Sequence, residues 1–77
     1  MTEIEEVVLD AILEVNGLCE DEFNKNDSLQ SNGVESVDLI ETLIEIEDQL
    51  EIELDFQEVD VNEDNFYSLV KYVEGKM

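Results

Sequence analysis

Three stretches of this chain repeat apolar residues at the period of a helix, and no proline interrupts any of them. In the first, Ile4, Val7, Val8, Ala11, Ile12 and Val15 follow the i, i+3, i+4, i+7 spacing. Thr2 and Glu5 precede that pattern as a Thr-x-x-Glu capping box, and Asn16-Gly17 closes it with a residue suited to a left-handed cap. The second stretch predicts a helix from about Ser36 to Glu51. Its stripe is Leu39, Leu43, Ile46 and Leu50, flanked by Val37, Ile40 and Ile44. The third begins near Asp64-Asn65, carries Phe66, Leu69, Val70 and Val73, and ends at Gly75. Between the last two, Asp55 and Glu58 suggest a second capping box that opens a short helical turn through Val59.

From Leu18 to Glu35 the period fades. Asn24, Asn26, Asp27, Ser28, Ser31, Asn32 and Gly33 mark a long loop, with Leu18, Phe23, Leu29 and Val34 spaced to pin it to the core. The fold class that follows is all-α. The expected architecture is a small antiparallel four-helix bundle, three main helices plus one short helix, with a long loop between helices one and two. Residues 1–77 read as one domain. A loop this long in so small a domain points to function.

Composition narrows the possible roles. Apolar residues make up 43% of the chain, too many for a disordered acidic tail despite a net charge of −20. The cations are Lys25, Lys71 and Lys76, so nucleic acid and anionic membrane are both repelled and basic protein faces attracted. Cys19 has no second cysteine and no histidine to join it, which leaves neither an internal disulfide nor a zinc site; it reads as a small loop hydrophobe. Tyr67 and Tyr72 read as core-edge aromatics. Asp60 to Asp64 lacks the spacing and glycine of a calcium loop, so no metal site is expected. No run has the length of a membrane span, and no basic and apolar leader opens the chain. The expectation is a monomeric cytoplasmic protein. Its size leaves little room for a deep pocket, so no catalytic residues and no enzymatic activity are expected.

The informative segment is Gly33-Val34-Glu35-Ser36-Val37-Asp38-Leu39-Ile40-Glu41. It sets one hydroxyl behind a glycine-containing loop, at the mouth of the second helix. A serine there is commonly only a helix cap. Here Leu39 stands three residues on, where a capping box wants Glu, so Ser36 is a poor cap. Exposed helix amides at that point favour a phosphate. Along the same helix Asp38, Glu41, Glu45 and Asp48 gather on one side with no cation among them. Their mutual repulsion costs about 0.2–0.5 kcal/mol per pair, a penalty that a function would offset.

These residues resemble the acyl carrier protein family over essentially the whole chain. Gly33, Val34, Ser36, Val37, Leu39 or Ile40, Glu41, Leu43, Ile46 and Leu50 fall on family positions, and Asn65 to Val73 is similar to the closing helix of free-standing carriers. The resemblance implies a 4'-phosphopantetheine arm on Ser36, delivered from coenzyme A by a phosphopantetheinyl transferase. Acyl or aminoacyl intermediates would ride on the arm as thioesters in fatty acid, polyketide, nonribosomal peptide or related biosynthesis. It also implies that Glu35, Val37, Asp38, Glu41, Ile44, Glu47 and Asp48 dock basic faces of loading enzymes and synthases. The family most often has Asp-Ser-Leu where this chain has Glu35-Ser36-Val37, which points to a different transferase and a specialised pathway. The competing reading is an acidic interaction module that mimics an anionic surface by charge alone and needs no serine.

Overall fold

The computed structural model describes residues 2–77. Three α-helices form where the apolar period lies: α1 over Glu3–Asn16, α2 over Ser36–Leu50 and α3 over Phe66–Gly75. Among the described residues no strand accompanies them, only short 3-10 turns and one isolated bridge. At the start of α1 the Thr2 hydroxyl accepts from Glu5 N at 3.2 Å while the Glu5 carboxylate accepts from Thr2 N at 3.2 Å, the reciprocal capping box. The Thr2 hydroxyl also lies 3.0 Å from the Glu5 carboxylate, and the bonds this carboxylate accepts from Thr2, the backbone one first, hold it below its ordinary 4.5. Gly17, at φ 63°, ends the helix in the left-handed region.

The second helix stops one residue earlier than the pattern predicts. Glu51 takes the left-handed cap instead, with φ 56° and its amide bonded to the Glu47 carbonyl. Asn65 caps α3 through a box with Ser68, a pairing of short side chains in place of the usual glutamate. The expected box at Asp55 and Glu58 does not form. The Asp55 carboxylate accepts from Gln57 N at 2.9 Å, and Phe56–Glu58 make one 3-10 turn, not a helix. The Glu58 carboxylate turns to Tyr72 and Lys76 instead.

Helix α1 packs against both α2 and α3. The core joins Val8, Leu9 and Ile12 of α1, Leu39, Leu43 and Ile46 of α2, and Phe66, Leu69 and Val73 of α3. The long loop is ordered by the anchors its sequence suggested: Phe23, Leu29 and Val34 are buried and Leu18 packs at the edge of the core. Two 3-10 turns, Glu20–Glu22 and Gln30–Asn32, shorten it.

Side-chain amides supply the hydrogen bonds that an irregular backbone otherwise leaves unmade. Asn32 Nδ2 donates to the carbonyls of Asn24 at 2.8 Å and Ser28 at 3.1 Å, and its Oδ1 accepts from Asn24 N at 2.8 Å. The loop also lies against the segment before α3, with Leu29 N donating to Asp64 O and Gln30 N to Val61 O. Those two contacts fix the approach to Gly33, whose φ of 93° turns the chain into α2.

Candidate functional site

Glu35 is the N-cap of α2, and Ser36 is its first helical residue. The Glu35 side chain makes no capping bond, in contrast to the boxes that close the starts of α1 and α3. The first bond of the helix is Leu39 N to Glu35 O at 2.9 Å. Among the described residues, the amides of Ser36, Val37 and Asp38 therefore find no protein acceptor. They concentrate positive partial charge at the one α-helix start that no side chain caps.

The serine hydroxyls separate cleanly. Ser28 Oγ donates to Ser31 Oγ at 3.0 Å and accepts from Ser31 N, and Ser68 Oγ bonds Asp64 within its capping box. Among the described residues, the Ser36 hydroxyl alone of the four is exposed with no hydrogen bond to protein. A free primary hydroxyl beside unpaired helix amides is the arrangement that can take up a phosphodiester, because the new negative charge meets donors already aimed at it.

Two clefts meet at this residue. One, of about 350 Å³, is walled by Leu39 and Ile40 of α2 and by Phe56, Val59 and Val61 opposite. The other, of about 370 Å³, is more polar and runs past Gln30, Glu35, Val37 and Asn62. Ser36 lines both. No local pattern assigns Phe56 or Val61 to a site, and Val59 marks only the end of the expected short turn. The available signal was apolar residues at 56, 59 and 61 after the second helix, outside any regular period.

Val37, Glu41, Ile44 and Asp48 share one exposed face of α2, with Val37 66% and Ile44 56% accessible. Glu35 is exposed beside them and Asp38 is partly covered. Glu47 points elsewhere: its carboxylate accepts from Leu54 N at 2.8 Å and so holds the chain that leaves the helix. No lysine lies on α2 to relieve its charge. Lys25 sits 5.3 Å from the Phe66 ring, and Lys76 pairs with Glu58 at 3.3 Å.

Cys19, expected as a small loop hydrophobe, lies in the loop after α1 as an exposed free thiol. Tyr67 is half exposed with its ring edge-on to Phe66, whereas Tyr72 packs against the core. Among the described residues no group of acidic, histidine or cysteine side chains has the arrangement of a metal site. No helix of the described residues is long and apolar enough to cross a membrane.

The sequence model of a family described as the phosphopantetheine attachment site matches residues 6–73, nearly the full length. The chain belongs to the phosphopantetheine attachment site family. That family is defined by covalent attachment of 4'-phosphopantetheine, and its domains act as carriers. The matched span takes in all three helices but for the ends of α1 and α3, together with both clefts at Ser36. No significant match was found among curated proteins or among solved structures. The residues present fit the attached group: a free hydroxyl, unpaired amides and an apolar cleft lie at one helix start.

Proposed function

We propose that Ser36 carries the phosphopantetheine and that the protein is a carrier of acyl or aminoacyl intermediates with no catalysis of its own. The observation that carries this reading is the Ser36 hydroxyl, exposed and unbonded at the uncapped start of α2. Attachment requires Ser36 Oγ to give its proton to a transferase base and form a phosphodiester, while the nucleotide of coenzyme A leaves. Once bound, the group supplies a terminal thiol that holds cargo as a thioester. The chain's own part is to place the hydroxyl and offer three amides to the phosphate. It also provides an apolar wall beside the attachment point.

Partners in this reading are a phosphopantetheinyl transferase, a loading enzyme and downstream synthases, each with a basic docking face. Val37, Glu41, Ile44 and Asp48 form the docking stripe, with Glu35 and Asp38 at the edge nearest Ser36, while the Glu47 carboxylate is taken up by Leu54 N. An apolar centre ringed by one sign of charge suits a complex whose approach is steered by electrostatics. The 3-10 turn at Phe56–Glu58 stands in for the short third helix of an antiparallel four-helix carrier. Residues 1–77 act as one monomeric cytoplasmic unit. Glu35 and Val37 around the serine favour a specialised pathway over housekeeping fatty acid synthesis.

Thiol titration tests the carrier chemistry. The unmodified protein has one thiol, that of Cys19. After treatment with a transferase and coenzyme A it should present a second thiol that accepts an acyl group as a hydroxylamine-labile thioester. Ser36→Ala should remain at one thiol. A wild-type protein that gains no thiol with several transferases contradicts the reading.

A further inference from the structure

Val59 and Val61 anchor one part of the outer wall of the apolar cleft at Ser36 in the core. The part made by Phe56 and Gln57 is tied to the body of the protein by side chains more than by the core. From Ile52 to Glu58 no residue is fully buried; Ile52 and Leu54 pack at the core's edge, and Phe56 is 50% exposed while it lines the cleft. At the upstream end, Leu54 N is held by the Glu47 carboxylate. At the downstream end the main tie is one hydroxyl, with an exposed ion pair beside it. Tyr72 Oη accepts from Asp55 N at 2.8 Å and lies 3.2 Å from both Asp55 O and Glu58 Oε1. Its single proton serves one of those acceptors at a time. Lys76 Nζ joins the cluster 3.3 Å from the same Glu58 oxygen and 5.5 Å from the centre of the Tyr72 ring.

We propose that residues 52–58 form a strap over the cleft and that the Tyr72 hydroxyl is the latch that fastens it to α3. The facing wall, Leu39 and Ile40, belongs to a regular helix packed on the core and does not move with it. Release of the latch therefore frees Phe56 and Gln57 from the rim of the cleft and widens it on that side, while Val59 and Val61 stay in the core. Segments held by few buried contacts and a few exposed hydrogen bonds open locally before the rest of a fold does. The meaning of that opening, access for cargo on the arm, rests on the carrier reading above. The latch itself does not.

Amide hydrogen exchange on the unmodified full chain tests it. Tyr72→Phe keeps the ring and removes the hydroxyl, so the amides from 53 to 59 should exchange about three- to tenfold faster, the range given by loss of one ordinary hydrogen bond. Amides in the middle of α1 and α2 should keep their rates. Glu58→Ala, a change on the exposed turn, should raise exchange in the same segment by less, because Tyr72 keeps its bonds to Asp55. An unchanged 53–59 segment overturns the latch. So does acceleration spread evenly over all helices, or loss of helical circular dichroism in Tyr72→Phe, since the hydroxyl would then support the whole core. None of these readouts depends on whether Ser36 accepts phosphopantetheine.

Discussion

Asn16 Nδ2 reaches to 3.3 Å from the hydroxyl of Thr42, a polar contact across the interface of α1 and α2. Thr42 is 1% exposed, and its hydroxyl also donates to Asp38 O at 2.8 Å, one turn back along its own helix. The Asn16 amide keeps a second bond to Ile12 O at 2.8 Å. Thr42→Val preserves shape and leaves Nδ2 one partner, so the loss should be about 1 kcal/mol. In a domain of this size that lowers the melting temperature by about 4–8 °C. Thermal unfolding followed by circular dichroism checks it; an unchanged or raised midpoint contradicts the assignment.

Glu51 holds a left-handed conformation that costs a side-chain-bearing residue about 1–2 kcal/mol. Glycine adopts it freely but loses more entropy on folding, so Glu51→Gly should gain about 0.5–1 kcal/mol net. Glu53→Gln removes one charge from the same exposed stretch without touching the cap, and its midpoint should move less. Equal gains from both would assign the effect to charge alone.

High pH should loosen the Tyr72 cluster. Burial first, then the Glu58 carboxylate, holds the Tyr72 hydroxyl above its ordinary 10.0, and the hydrogen bond to Glu58 holds Lys76 above 10.5. As pH climbs past those values the unfolded chain gives up its protons first and binds fewer than the folded one. Stability then falls with rising pH. Melting temperatures taken from about pH 9 to about pH 11 should decline, with a shallower slope in Tyr72→Phe. An equal slope in both proteins would show that Tyr72 titrates alike folded and unfolded.

How much of this was legible in the chain depended on distance along it. The Thr2–Glu5 box, the Gly17 cap and the loop anchors Phe23, Leu29 and Val34 follow from near neighbours, and each forms as the pattern indicates. Ser36 stood out from its place behind Gly33, but Leu39 holds the capping-box position only if Ser36 is the N-cap; the structure puts Glu35 there and Ser36 one place inside, at a helix start with no side-chain cap. The Asp55–Glu58 box failed because the Glu58 carboxylate finds Tyr72, fourteen positions on, and Lys76 beyond it. The cleft was invisible for the same reason: Phe56, Val59 and Val61 face Leu39 and Ile40 only after the chain folds back along α2. Glu47, placed among the docking residues by resemblance, has its carboxylate on Leu54 N, a contact that no local pattern signals.

If partners approach along α2, reversing charge there should slow them. Glu41 and Asp48 lie on the exposed face with Val37 and Ile44. Glu41→Lys with Asp48→Lys should reduce the association rate with a partner enzyme by about tenfold or more at low salt, and the loss should shrink as salt rises. Helical circular dichroism should be retained. Glu3→Lys with Glu6→Lys makes the same change in net charge on α1. A similar loss from that pair would mean that overall charge, not the α2 face, guides the encounter.

The most direct test of the central claim is the intact mass of the protein after incubation with a promiscuous phosphopantetheinyl transferase and coenzyme A. Wild type should gain the mass of one phosphopantetheinyl group, carried on the peptide that contains Ser36, and Ser36→Ala should gain none. Modification of Ser36→Ala, or a group found on Ser28, Ser31 or Ser68, would contradict the placement of the arm at the start of α2.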